Sequence, residues 1–174
     1  MLENEVADIA GKNPIVGIFG DQNFPDKSTG KSLSERRELL HKMKRILHVI
    51  KPERVYISPT KGIIRTLMPA LNMLRIPYII VNPYQGFFDI GEKKEKFNLA
   101  VGLKHSRTVI TMGEPPKTKG VKIKLQKETE DFIIDRSNLI ISIYGKNPSR
   151  DIRELNKRLP EVETNVIFLD YSLT

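Results

Sequence analysis

The chain has 174 residues, 39% apolar and 29% charged, with a formal charge of +8. That length suits one domain able to bury a two-sided core without covalent staples. There is no cysteine, which excludes disulfides, thiolate metal sites and cysteine nucleophiles; His41, His48 and His105 form no close ligand pair, so no metal is expected.

Residues 1–13 carry acids and no apolar stretch, unlike a secretory signal, and read as a flexible, frayed lead-in to a single domain over residues 14–174. The apolar run 14–20 (PIVGIFG) suits a strand buried on both faces. A polar loop follows through Lys31. Ser32 and Glu35 fit the S-x-x-E capping box, opening a helix whose stripe is Leu39, Leu40, Met43, Ile46, Leu47 and Ile50. Pro52 closes it.

Residues 54–58 (RVYIS) form the second predicted strand and 63–74 the second helix, with Ile63, Leu67, Ala70, Leu71 and Leu74 facing the sheet. Pro69 removes an internal bond there and predicts a kink. The third strand is 78–82 (YIIVN), ended by Pro83; an aromatic loop over 84–89 and a helix from Glu92 to about His105 follow. A strand at 108–112 (TVITM) leads through Gly113 into a stretch containing Lys117, Lys119, Lys122, Lys124 and Lys127 without an acid. A helix over 124–136, a strand at 139–144 (LIISIY), a helix over 150–159 and a strand at 165–169 (NVIFL) complete the chain. No run approaches the roughly 20 apolar residues of a membrane helix. A soluble, cytoplasmic protein without membrane contact is expected.

Alternating strands and helices predict a three-layer α/β, Rossmann-like doubly wound fold with a mainly parallel sheet of about six strands. Right-handed crossovers put helices on both faces, and the loops leaving the carboxyl ends of the strands line a shared crevice. Gly20, Asp21, Gln22, Asn23 and Phe24 leave the first strand: glycine allows close backbone approach, and the polar groups suit a ribose or base edge. The alternative is a plain polar turn. Ser58, Pro59, Thr60, Lys61 and Gly62 precede a helix, where backbone N–H groups and the dipole favour an anion; ordinary capping by Thr60 is the competing view.

Pro83, Tyr84 and Phe87 belong to the aromatic loop, whose rings suit stacking on a nucleobase, a sheet-edge cap or a dimer contact. Gly145 and Ser149 precede the last helix, where Ser149 or Arg150 offers a second phosphate contact or Ser149 simply caps. The expected arrangement puts residues 20–24 and 58–62 side by side on one rim, with main-chain donors at Gly62 and Ile63 facing a phosphate.

Gly30-Lys31-Ser32 imitates the end of a Walker A loop, but Pro25 stands where its first glycine belongs. No G-x-G-x-x-G follows a strand and no G-x-S-x-G occurs.

With these loops in place, the chain resembles the SLOG superfamily, the Rossmann-like group containing DprA, the Lonely Guy phosphoribohydrolases and the YpsA and YspA proteins. The stretch from Gly20 to Asp26 (GDQNFPD) is similar to that group's G-x-R-[DN]-F-x-D motif. Ser58-Pro59-Thr60-Lys61-Gly62 lies where the family has a glycine-rich turn, of which Gly62 remains. Arg75-Ile76-Pro77 with YIIVNPY parallels its G-I-P and following strand, and DFIIDRSNLIISIY its penultimate helix and strand. The family's Arg-Asn pair, which would fall at 127–130, and the Lonely Guy pattern P-G-G-x-G-T-x-x-E are absent. The resemblance implies a nucleotide or nucleotide-derivative site.

The leading expectation is therefore a module that binds or senses a nucleotide-like small molecule without a cofactor and self-associates as a homo-oligomer. A second is an enzyme cleaving or exchanging an N-glycosidic bond in a nucleotide. That chemistry needs a carboxylate, for which Asp21, Asp89, Glu128 and Glu130 are candidates outside any strong motif. A third is a DprA-like nucleic-acid-binding protein using the lysine-rich face. That face, and the arginines and lysines of residues 35–51, could equally be solvated surface, since no aromatics are interleaved to stack bases.

Overall fold

A computed structural model describes residues 2–25, 32–89 and 93–171. Strands β1 (Ile15–Gly20), β2 (Arg54–Ile57), β3 (Tyr78–Asn82), β4 (Thr108–Thr111), β5 (Leu139–Tyr144) and β6 (Asn165–Asp170) form a six-stranded sheet. Helices are α1 (Leu2–Ala10), α2 (Ser32–Ile50), α3 (Ile63–Met73), α4 (Lys93–His105), α5 (Lys119–Asp135) and α6 (Arg150–Arg158). All neighbouring strands pair in parallel, in the order β4-β3-β2-β1-β5-β6. The chain walks from β1 out to β4, then returns past β1 to β5 and β6. The order thus reverses between β1 and β5, and the expected Rossmann-like doubly wound architecture is present.

Helices cover both faces because the sheet is apolar on both. Val16, Ile18, Val55, Ile57, Ile80 and Ile141 meet a core shared with α1 to α4. Phe19, Tyr56, Val81 and Ile140 meet Ile133 of α5 and Ile152 and Leu155 of α6. The central strands β1 and β5 are buried along nearly their whole length, as continuous apolar runs require. Strand β4 lies at an edge, and its Val109 is 40% exposed.

Three departures from the sequence reading have local causes. Residues 2–10, read as a frayed lead-in, form α1: Val6 is 2% exposed within the core, and Asn165 Nδ2 donates to the Ile9 carbonyl at 3.2 Å. Helix α5 begins at Lys119 rather than residue 124, because the Thr118 hydroxyl accepts from the Val121 N–H at 3.2 Å and caps it. Helix α3 runs on through Pro69. Proline has no N–H to offer the carbonyl four residues back; that carbonyl, on Arg65, accepts from Asn98 Nδ2 of α4 at 3.3 Å instead.

Helix α3 ends in a Schellman turn. Ile76 N–H donates to the Leu71 carbonyl at 3.0 Å and Arg75 N–H to the Asn72 carbonyl at 3.1 Å, with Arg75 at φ 54°. The left-handed position is one that glycine occupies without steric cost, and Arg75 is exposed. Arg75→Gly should therefore stabilise the protein by about 1 kcal/mol in urea unfolding. An unchanged or lower midpoint would show that the arginine side chain outweighs the backbone term.

Candidate functional site

Strand β1 ends at Gly20, and the chain turns at Asp21, which is fully buried. The Asp21 N–H donates to the Ile143 carbonyl of β5 at 3.0 Å, and its own carbonyl accepts from the Ile63 N–H of α3 at 3.1 Å. Its Oδ1 accepts from the N–H groups of Asn23 at 2.9 Å and Ser149 at 3.0 Å. One residue thus joins the loops after β1, β2 and β5. Gly62 permits the closeness: its φ is +84°, and a Cβ there would sit 2.4 Å from the Asp21 carbonyl oxygen.

The β2–α3 loop is fixed from beneath. Arg65 is fully buried, and its Nε donates to the Pro59 carbonyl at 3.0 Å. Residues 20–24 and 58–62 are accordingly neighbours on the carboxyl rim of the sheet. One of the two main-chain donors expected to face a phosphate is turned inward, however, and a neighbouring N–H is also taken. Ile63 N–H bonds Asp21, and Thr60 N–H bonds the Ser58 carbonyl at 2.8 Å.

Beside this knot, on the α5–α6 side, lies a hollow of about 530 Å³, counting its open mouth. Its apolar lining includes Ile18, Phe19, Ile152 and Leu155. Gly20, Gln22, Ser58, Thr60, Pro83 and Ser149 border it from the loops, bringing six of the residues singled out by sequence to one place. Helix α5 adds Gln126, Thr129 and Glu130, and α6 adds Asp151. Gln22 Nε2 donates to Asp151 Oδ2 at 3.0 Å across the gap between the loop and α6. The Ser149 hydroxyl oxygen is buried and has no hydrogen-bond partner among the described residues.

Other sequence candidates are placed elsewhere. Asp21 serves as the tie just described and does not border the hollow. Phe24 is in the core, edge-on to Tyr171 with ring centroids 4.9 Å apart. Tyr84 and Phe87 are buried edge-on against each other at 5.2 Å, and Asn82 Nδ2 holds the Tyr84 carbonyl at 2.8 Å. Neither ring borders the hollow. Asn23 is exposed, and Pro59 is buried with its carbonyl held by Arg65. Gly145 is packed so closely that a Cβ would lie 2.3 Å from the Tyr171 ring.

Lys61 is exposed and does not border the hollow either. Glu128 lies on the outer side of α5, 3.7 Å from Lys124. Asp26, Gly30, Lys31 and Glu92, and the side chains of Ser32 and Asp89, lie outside the described residues. Among the described residues no group of His, Asp and Glu is disposed to hold a metal ion, and no helix is long and apolar enough to cross a membrane.

Sequence reasoning left Glu130 as one carboxylate among several and did not single out Asp151. Both border the hollow. The Glu130 side chain is 24% exposed; Oε2 pairs with Arg158 Nη2, while Arg158 Nη1 bonds Asp131 Oδ1 at 2.9 Å. Burial pushes the Glu130 carboxyl up to about 7; Arg158 opposes that shift, and Asp131 and Asp151 add to it. The only advance signal was helical spacing: residues 126, 129, 130 and 133 share one face of α5, and Ile133 marks it as the inner one.

No family model matches the sequence, and no curated protein matches it.

A carboxyl whose folded value lies near 7, against 4.5 ordinarily, binds more protons in the folded than the unfolded state between those limits. Its contribution to stability is therefore greatest at low pH and falls as pH rises from 4.5 to 7. Wild type should lose up to about 3 kcal/mol relative to Glu130→Gln over that window. Urea midpoints at pH 5 and pH 8 measure it; parallel profiles for the two proteins would rule out the raised carboxyl.

Proposed function

We propose that the protein binds a nucleotide or nucleotide-derived small molecule in this hollow. The observation that carries the reading is the convergence of hydroxyl and amide groups from the β1, β2 and β5 loops and α5 over an apolar lining. They meet at the carboxyl ends of a parallel sheet beside its switch point. The resemblance of the first loop and of the later strand–loop segments to the SLOG group supports the same ligand class. No lysine or arginine borders the hollow among the described residues, so the nucleoside part belongs inside and the phosphate towards the mouth and Lys61.

Calorimetry with adenosine 5′-monophosphate and adenosine tests this arrangement. Both should bind. Lys61→Ala should weaken the monophosphate roughly two- to fivefold, the scale of one exposed charge, and leave adenosine unchanged. No heat from either at millimolar concentration would count against the ligand class; equal losses for both would remove Lys61 from the phosphate.

One observation favours a second, hydrolytic reading: Glu130 borders the hollow with a proton affinity suited to acid–base work near neutrality. Chromatography of nucleoside monophosphates incubated with the protein should then show free base, lost in Glu130→Gln. Turnover at the uncatalysed rate returns the protein to the binding class.

A further inference from the structure

The charged residues on the α5–α6 wall of the hollow are acids. Glu130 and Asp151 border it, with Asp131 beside Glu130 on α5. The cation facing Glu130 is Arg158 of α6, which is shared with Asp131. The β1–α2 and β2–α3 loops present only neutral groups there, Gln22, Ser58 and Thr60. A phosphate on this wall would meet two carboxylates. A vicinal diol would instead supply two O–H donors, which an ionised carboxylate accepts with charge-assisted strength.

We propose that Glu130, in its ionised form, accepts the hydroxyl pair of the ligand's sugar, so that filling the hollow releases a proton. The proposal rests on the reading of the hollow as a nucleotide-type site and adds which part of the ligand this wall takes and how pH governs occupancy. Arg158 holds the carboxylate in place from behind, and Asp131 holds Arg158, so the acceptor is fixed before the ligand arrives. In the free protein the carboxyl titrates near 7, and at that pH about half of the molecules carry the proton. A sugar that bonds only the ionised form lowers that value in the complex. Affinity then rises with pH, by about tenfold between pH 6 and pH 8.

Adenosine is the suitable probe because it has no titrating group in that range; 2′,3′-dideoxyadenosine is its counterpart without the diol. Calorimetry on the full chain at pH 6, 7 and 8, in two buffers of different ionisation heat, should show the tenfold rise for adenosine. About half a proton should be released per adenosine bound at pH 7. Glu130→Gln should flatten the profile, and the dideoxy compound should bind wild type with a flat one. Should the variant fail to fold, the comparison of the two nucleosides on wild type still decides. Adenosine binding with no pH slope, or a slope shared by the dideoxy compound, overturns this proposal and leaves the nucleotide reading standing. Failure of both adenosine and its 5′-monophosphate to bind at any pH overturns the two together.

Discussion

The site depends on the buried Asp21, where one residue answers four polar groups, three from separate segments and one from its own turn. Its N–H reaches β5, its carbonyl receives α3, and its Oδ1 receives the loop ahead of α6 as well as its own turn. The Ile143 carbonyl and the Ile63 N–H belong to buried residues and would otherwise be left unpaired, at a cost of roughly 1–3 kcal/mol apiece. The carboxylate also stands before the amino end of α6, where the helix dipole favours negative charge. A side chain that sequence reasoning marks for ligand or catalysis is thus used by the fold itself to hold the rim of the hollow together.

The fold was legible because burial on two faces leaves a plain trace. Strands such as IVGIFG and LIISIY are apolar throughout, and the helices between them carry stripes at helical spacing. The misreadings share one cause, contacts with neighbours that the local sequence does not reveal. Thr118 as a cap extends α5 through lysines that carry no helical pattern of their own, and Val6 earns its helical place by packing against segments far along the chain. The loops after β1, β2 and β5 border the hollow, but which of their side chains open to it was not legible. Phe24, Tyr84 and Phe87 are large apolar groups near a rim, and burial against one another or the core satisfies them as fully as a ligand would. Glu130 was visible only as a residue on the inner face of a helix whose inner face was not yet known.

Charge is sorted along a single helix. The first half of α5 carries Lys119, Lys122, Lys124 and Lys127 with Val121 and Ile123 exposed among them. Its middle turns Thr129 and Glu130 towards the hollow. A net charge of +8 therefore describes the outer surface and says nothing of the interior of the site. That separation keeps the lysines of α5 on its outer part and away from the carboxylates that border the hollow.

The switch between β1 and β5 also imposes an order in time. Asp21 and Ser149 meet across 128 positions of sequence, and β1 finds its β5 neighbour only after β2, β3 and β4 have been made. During synthesis the chain must have emerged as far as Ser149 before the rim can close. Folding of the earlier strands leaves β1 with one unpaired side until then, since contacts of such long separation form late. A chain ending before residue 139 would lack β5, α6 and β6, and with them Ser149, Asp151, Ile152 and Leu155 at the border of the hollow.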